Sequence, residues 1–289
     1  MSNMASERAQ VSDSDLVEPK PAGAAKAPLS LRQAAPAFGA GTVIGALGGL
    51  IGLGGAEFRL PLLLGLFRFR ALEAVILNKA MSLIVVATAL PFRAATVPLA
   101  VVLASWPTIL NLLAGSLLGA WLGAGWATRL SSRGLYRVIA VLLALIAAAL
   151  LFGHGTHVVG ALVTGEAQIA AGVAAGFVIG VIASLLGVAG GELLIPTLVL
   201  LFGADVKLAG SLSLAVSLPT MVVGFARYSR DRSFKVLAAN KMFVSVMAAG
   251  SVLGTFIGGQ LLGLVPDYVL LPVLAAILAI SALKVWRHK

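Results

Sequence analysis

Residues 52–61 read Gly-Leu-Gly-Gly-Ala-Glu-Phe-Arg-Leu-Pro, and residues 187–196 read Gly-Val-Ala-Gly-Gly-Glu-Leu-Leu-Ile-Pro. The two stretches lie 135 positions apart. The same shift carries NKAMSL (78–83) onto SLAVSL (213–218), and AGSLLGAWLG (114–123) onto AGSVLGTFIG (249–258). A constant offset across three separated blocks marks two copies of one unit. The copies lie in a chain of 289 residues that is 60% hydrophobic and 11% charged, too little charge to cover a soluble domain. A duplicated apolar unit interrupted by Gly, Pro and a carboxylate is the pattern of a membrane carrier with a central site.

The apolar runs fall at 36–53, 58–67, 74–90, 98–127, 135–152, 167–187, 192–203, 206–226, 236–264 and 268–286. Several exceed the roughly 18 residues that mark a spanning helix. They are too long and too uniformly apolar for barrel strands. Residues 1–35 are polar, rich in Ala, Pro and Ser and of mixed charge, and read as a disordered cytoplasmic tail. They lack the basic start and directly following apolar core of a signal peptide.

The net charge is +10, and its placement argues for membrane topology rather than for nucleic acid. Arg68 and Arg70 share one loop; Arg129, Arg133 and Arg137 share another; Arg227, Arg230, Arg232 and Lys235 share a third. These loops, with the basic C-terminal tail, should be cytoplasmic, and the loops at 153–166 and 263–267, which hold no Lys or Arg, should face the other side. Arg93 and Lys207 stand outside this pattern. Segments 36–67 and 167–203 must then enter and return on one side. Their returning pieces, 58–67 and 192–203, reach only about 15–18 Å as helix, half of a ~30 Å hydrocarbon layer.

The fold class expected is an all-α polytopic membrane protein of two inverted repeats. Each is a re-entrant or broken helical hairpin followed by three transmembrane helices. The repeats span 36–153 and 171–289, with a non-cytoplasmic linker at 154–170. Both termini should be cytoplasmic, in a multi-pass protein of a bacterial inner membrane.

The hairpin tips carry the candidate site. Gly54, Gly55, Gly190 and Gly191 allow tight turns, and Pro61 and Pro196 follow within the first turn or so of the returning half-helices. Free N–H groups at a helix start, with the positive end of its dipole, bind anions. The same glycines also serve a tight bend with no ligand. Glu57 and Glu192 are mirrored carboxylates at membrane depth, where a charge needs a partner or a task. They read either as proton carriers coupled to substrate or as caps of the half-helices. Arg59 and Lys79 have apolar mirrors, Leu194 and Leu214. Lys79 reads as an anion ligand, as a partner of Glu57 or Glu73, or as a side chain reaching the surface. Asn78 and Ser82, with their mirrors Ser213 and Ser217, are neutral donors that otherwise bond within or between helices.

The glycine series 115/119/123 and 250/254/258 read as close-packing seams. The chain contains no cysteine, which removes disulfides and thiolate metal sites. His154 and His157 alone carry no metal assignment. No nucleophile–base set or Walker-type phosphate loop appears, so neither an enzyme nor a cofactor is expected.

GLIGLGGAEFRLPLLLGLF (49–67) and its echo SLLGVAGGELLIPTLVLLFG (184–203) resemble the signature of the TauE/SafE sulfite-exporter family, over about residues 36–289. The resemblance implies a secondary transporter of sulfite, sulfoacetate or other organosulfonates, and the inverted repeat points to alternating access. It places the family motif on Gly54, Gly55, Glu57 and Pro61, and on Gly190, Gly191, Glu192 and Pro196. Ala56 and Ala189 stand where a further glycine would match. The partners expected are a small anionic substrate and the lipid bilayer, with no nucleic acid; a homodimer is left open. The alternative is a passive anion channel of the same composition.

Overall fold

The structure is a computed structural model that describes residues 31–51, 55–94, 97–152, 164–260 and 267–287. The expected tail, apart from residues 31–35, lies outside the described residues, as do Gly54, His154, His157 and most of the 154–170 linker. The described residues are helical, without strands.

The first half contains α1 (Leu31–Ile51), α2 (Ala56–Gly65), α3 (Ala71–Ala94), α4 (Leu99–Ala104), α5 (Trp106–Arg129) and α6 (Ser132–Phe152). The second contains α7 (Glu166–Leu186), α8 (Gly191–Phe202), α9 (Val206–Tyr228), α10 (Lys235–Ala239), α11 (Lys241–Gln260) and α12 (Asp267–Trp286). Five of these are long and apolar enough to cross a membrane: α3, α5, α7, α9 and α11. The chain is a multi-pass membrane protein.

The short returning helices are present. α2 has 10 residues and α8 has 12. Each starts on a left-handed glycine, Gly55 at φ 69° and Gly190 at φ 82°, a conformation that costs other residues a Cβ clash. Gly187, at φ 69°, ends α7 on the other flank of the second tip. The prolines sit deeper than expected. Pro61 is the sixth residue of α2 and Pro196 the sixth of α8. Each therefore removes an interior i→i−4 bond, the one to the Glu57 carbonyl and the one to the Glu192 carbonyl.

Two apolar runs read as continuous are broken. The run 98–127 divides at Ser105, whose Oγ bonds the Val101 carbonyl at 3.1 Å. The run 236–264 divides at Asn240, whose Nδ2 donates to the Val236 carbonyl at 2.9 Å. The two breaks are 135 residues apart and use the same i−4 back-bond, a device that competes with helix continuation. Pro107 follows the first break within the first turn of α5.

Helix packing repeats at the same offset. A Cβ on Gly115, Gly119 or Gly123 of α5 would strike the carbonyls of Val173, Phe177 or Val181 of α7. A Cβ on Gly250, Gly254 or Gly258 of α11 would strike those of Phe38, Thr42 or Ala46 of α1. Every member of the second set is the first displaced by 135. Glycines answer from the facing helices: Gly176 and Gly180 meet Leu112 and Ser116, and Gly41 and Gly45 meet Met247 and Ser251. Numbers rise together along each seam, so α5 runs parallel to α7, and α1 runs parallel to α11. Each seam joins a helix of one half to a helix of the other.

Candidate functional site

The two tips meet beside α3. Asn78 joins them: its Nδ2 donates to the Ala56 carbonyl at 3.0 Å and to the Leu186 carbonyl at 3.1 Å. Lys79 Nζ donates to the carbonyls of Ala183 at 3.2 Å and Val188 at 3.4 Å. Ser82 Oγ donates to the Gly187 carbonyl at 3.4 Å. Asn78, Lys79 and Ser82 of α3 therefore bind the backbone where α7 ends and the second tip begins. The fit is close, since a Cβ on Gly187 would meet the Val75 carbonyl.

Arg59 arrives from the first tip. Its Nη1 donates to Asn78 Oδ1 at 3.4 Å and Ser82 Oγ at 3.2 Å, and its charge lies near Glu57. Glu57 and Glu192, the first charged residues of the two half-helices, bring their carboxyl groups within hydrogen-bonding reach of each other. Each half-helix starts on a glycine with no side-chain cap, and each carboxyl lies near its own backbone N–H. Oε1 of each is buried without a hydrogen-bond partner among the described residues.

From α9, Ser217 Oγ donates to the Ala189 carbonyl at 2.8 Å. Ser213 turns back on its own helix, to the Gly210 carbonyl at 2.8 Å. Gly190 and Gly191 are buried at the start of α8, Gly190 against Ile179 and Ala183 of α7.

Of the sequence-derived residues, Gly55, Glu57, Arg59, Asn78, Lys79, Ser82, Gly190, Gly191, Glu192 and Ser217 form one cluster. Ser213 lies on the facing helix without a bond to either tip, and Gly54 is outside the described residues. Lys79 does not reach the surface: it is 0% exposed, as are Arg59 and Asn78. Its partners are carbonyls, and Glu73 is instead engaged by the Arg70 N–H at 3.1 Å.

Three residues around Lys79 were missed in the sequence. Gly224 of α9 lies against the lysine, with Cε 3.2 Å and Nζ 3.4 Å from where a Cβ would stand. Ser184 Oγ is buried there without a hydrogen-bond partner among the described residues. Tyr228 is buried, and its hydroxyl donates to the Ser184 carbonyl at 2.8 Å. The hydroxyls of Ser184 and Tyr228 in apolar runs are the signal that could have found them.

The cluster gathers basic, acidic and neutral polar side chains in one buried place. It combines two cations, several neutral donors and two half-helix starts, in a region whose side chains water does not reach. A sequence profile described as Sulfite exporter TauE/SafE matches residues 37–285. No curated protein and no solved structure matches the chain.

Proposed function

Because the chain belongs to the TauE/SafE sulfite exporter family, we propose that it is a secondary transporter that moves a small sulfur-containing anion across the inner membrane by alternating access. Sulfite, sulfoacetate and other C2 sulfonates fit the proposal. The observation that carries it is the buried cation pair, Arg59 and Lys79, set between two facing half-helix starts. A sulfonate or sulfite spreads its charge over several oxygens, which suits many modest donors.

The charges supply a coupling scheme. Arg59 and Lys79 contribute two positive charges, and Glu57 and Glu192 two negative. When the facing carboxyl groups hold one proton between them, the cluster carries one net positive charge. A monovalent anion such as hydrogen sulfite then balances it; with both carboxyl groups protonated the cluster carries two positive charges and balances a dianion such as sulfoacetate. The carboxyl groups beside the half-helix starts turn aside as the anion takes its place there. Full burial of Arg59, Asn78 and Lys79 supports an occluded carrier state rather than a channel, which needs a continuous wet path.

Alternating access draws support from helix directions. α7 runs with α5, and α5 runs with α9, since Ser116 meets Thr220 and Gly125 meets Arg227. An inverted repeat would set the mirrored helices α3 and α9 antiparallel around the site.

Counterflow in proteoliposomes tests the reading. External sulfite or sulfoacetate should drive saturable exchange of the labelled anion; linear, non-exchanging flux would mean a channel. Lys79→Met should weaken anion binding by about 1–3 kcal/mol, the range for losing a charge-assisted bond, read by calorimetry on purified protein. Wild-type affinity would remove Lys79 from the site. Glu57→Gln or Glu192→Gln should remain folded and lose the pH dependence of exchange. Unchanged pH dependence in both would leave the carboxylates as caps alone.

A further inference from the structure

Away from the hairpin tips, a groove of about 510 Å³ opens between α5, α7 and α9. Its rim carries Trp121, Trp126, Arg129 and Arg227, and its wall Phe177 and Val181. The floor is glycine. A Cβ on Gly125 would stand 3.2 Å from Arg227 Nε, so the missing side chain is what seats the guanidinium. Arg227 lies 5.6 Å and Arg230 4.8 Å from the centroid of the Trp121 ring, a cation–π stack that holds both arginines on one side of the groove. No carboxylate lines the groove. The adjacent acid, Asp231, is engaged elsewhere, its Oδ1 accepting from the Ser233 N–H at 2.8 Å. Trp126 is 52% exposed on the outer face of α5.

We propose that this groove binds one anionic glycerophospholipid from the leaflet at the arginine-rich end of the bundle. Arg129, Arg227 and Arg230 hold the phosphodiester, for which guanidinium forks are suited. Phe177 and Val181 line an acyl chain. Trp121 and Trp126 sit at headgroup depth, as interfacial tryptophans do. Unbalanced basic pockets between membrane helices are the sites where anionic headgroups lodge. The lipid would brace α9 against α5 near the end of α9 that carries Gly224 and Tyr228, the helix turns packed around Lys79.

Thermal unfolding and native mass spectrometry of the full chain in detergent test this. Phosphatidylglycerol should raise the unfolding midpoint by several degrees and appear as one bound lipid per chain. Phosphatidylcholine and inorganic phosphate should do neither. Arg129→Gln, an exposed change, and the Arg129→Gln/Arg230→Gln pair should lose both the shift and the adduct. An equal shift with phosphatidylcholine, a full shift with inorganic phosphate, or unchanged adducts in both variants would overturn the proposal. So would a stable dimer that covers the groove and excludes lipid.

Discussion

Gly119→Val and Gly254→Val each unfold the protein or prevent its assembly, at mirrored positions and for one reason. A Cβ at Gly119 would overlap the Phe177 carbonyl, and one at Gly254 the Thr42 carbonyl. These neighbours are backbone, so no rotamer change relieves the overlap; the helix pair must separate along its length. Overpacking costs about 1–3 kcal/mol where side chains give way, and here about 3 kcal/mol or more is expected. Gly39 supplies the control, because a Cβ there meets nothing within 4 Å, and Gly39→Ala should keep the wild-type midpoint. Thermal unfolding and gel filtration in detergent measure all three. A wild-type midpoint in Gly119→Val would mean that α5 and α7 are not packed in this register.

Asn78→Leu should abolish transport while the protein still inserts. Leucine matches the size of asparagine but leaves the Ala56 and Leu186 carbonyls without their donor and takes the acceptor from Arg59. Each buried orphan group costs about 1–3 kcal/mol. The two carbonyls belong to different hairpins, so their loss uncouples the tips rather than only loosening one. Exchange in proteoliposomes should fall to background, with expression and gel-filtration profile retained. Asn78→Asp should not rescue, since it cannot donate to both carbonyls. Robust exchange by Asn78→Leu would show that the tips are held together by other contacts.

The hairpins were legible because two signals coincide in 52–61 and 187–196: paired glycines, and a returning apolar run too short to cross. Asn78, Lys79 and Ser82 stood out as polar residues in a helix otherwise of Leu, Val, Ile and Ala. Their partners were not legible. Lys79 reads as a charge seeking a charge, yet it binds carbonyls that exist only once the Ala183–Val188 turn has formed. The breaks at Ser105 and Asn240 were hidden because a back-bond to the i−4 carbonyl leaves no mark on hydrophobicity. The depth of Pro61 was misjudged because the half-helix starts at Ala56, before the apolar run resumes. The glycine series announced close packing but not the identity of the facing helix, which lies about 60 residues away for α5 and about 200 for α1.

That last separation bears on how the protein is made. The glycine face of α1 is closed by α11, which leaves the ribosome about 200 residues later. Until then Gly41 and Gly45 present bare helix backbone to lipid. The growing chain is therefore a membrane client whose maturation waits on α11. Truncation before α11 strands α1 as surely as deleting it.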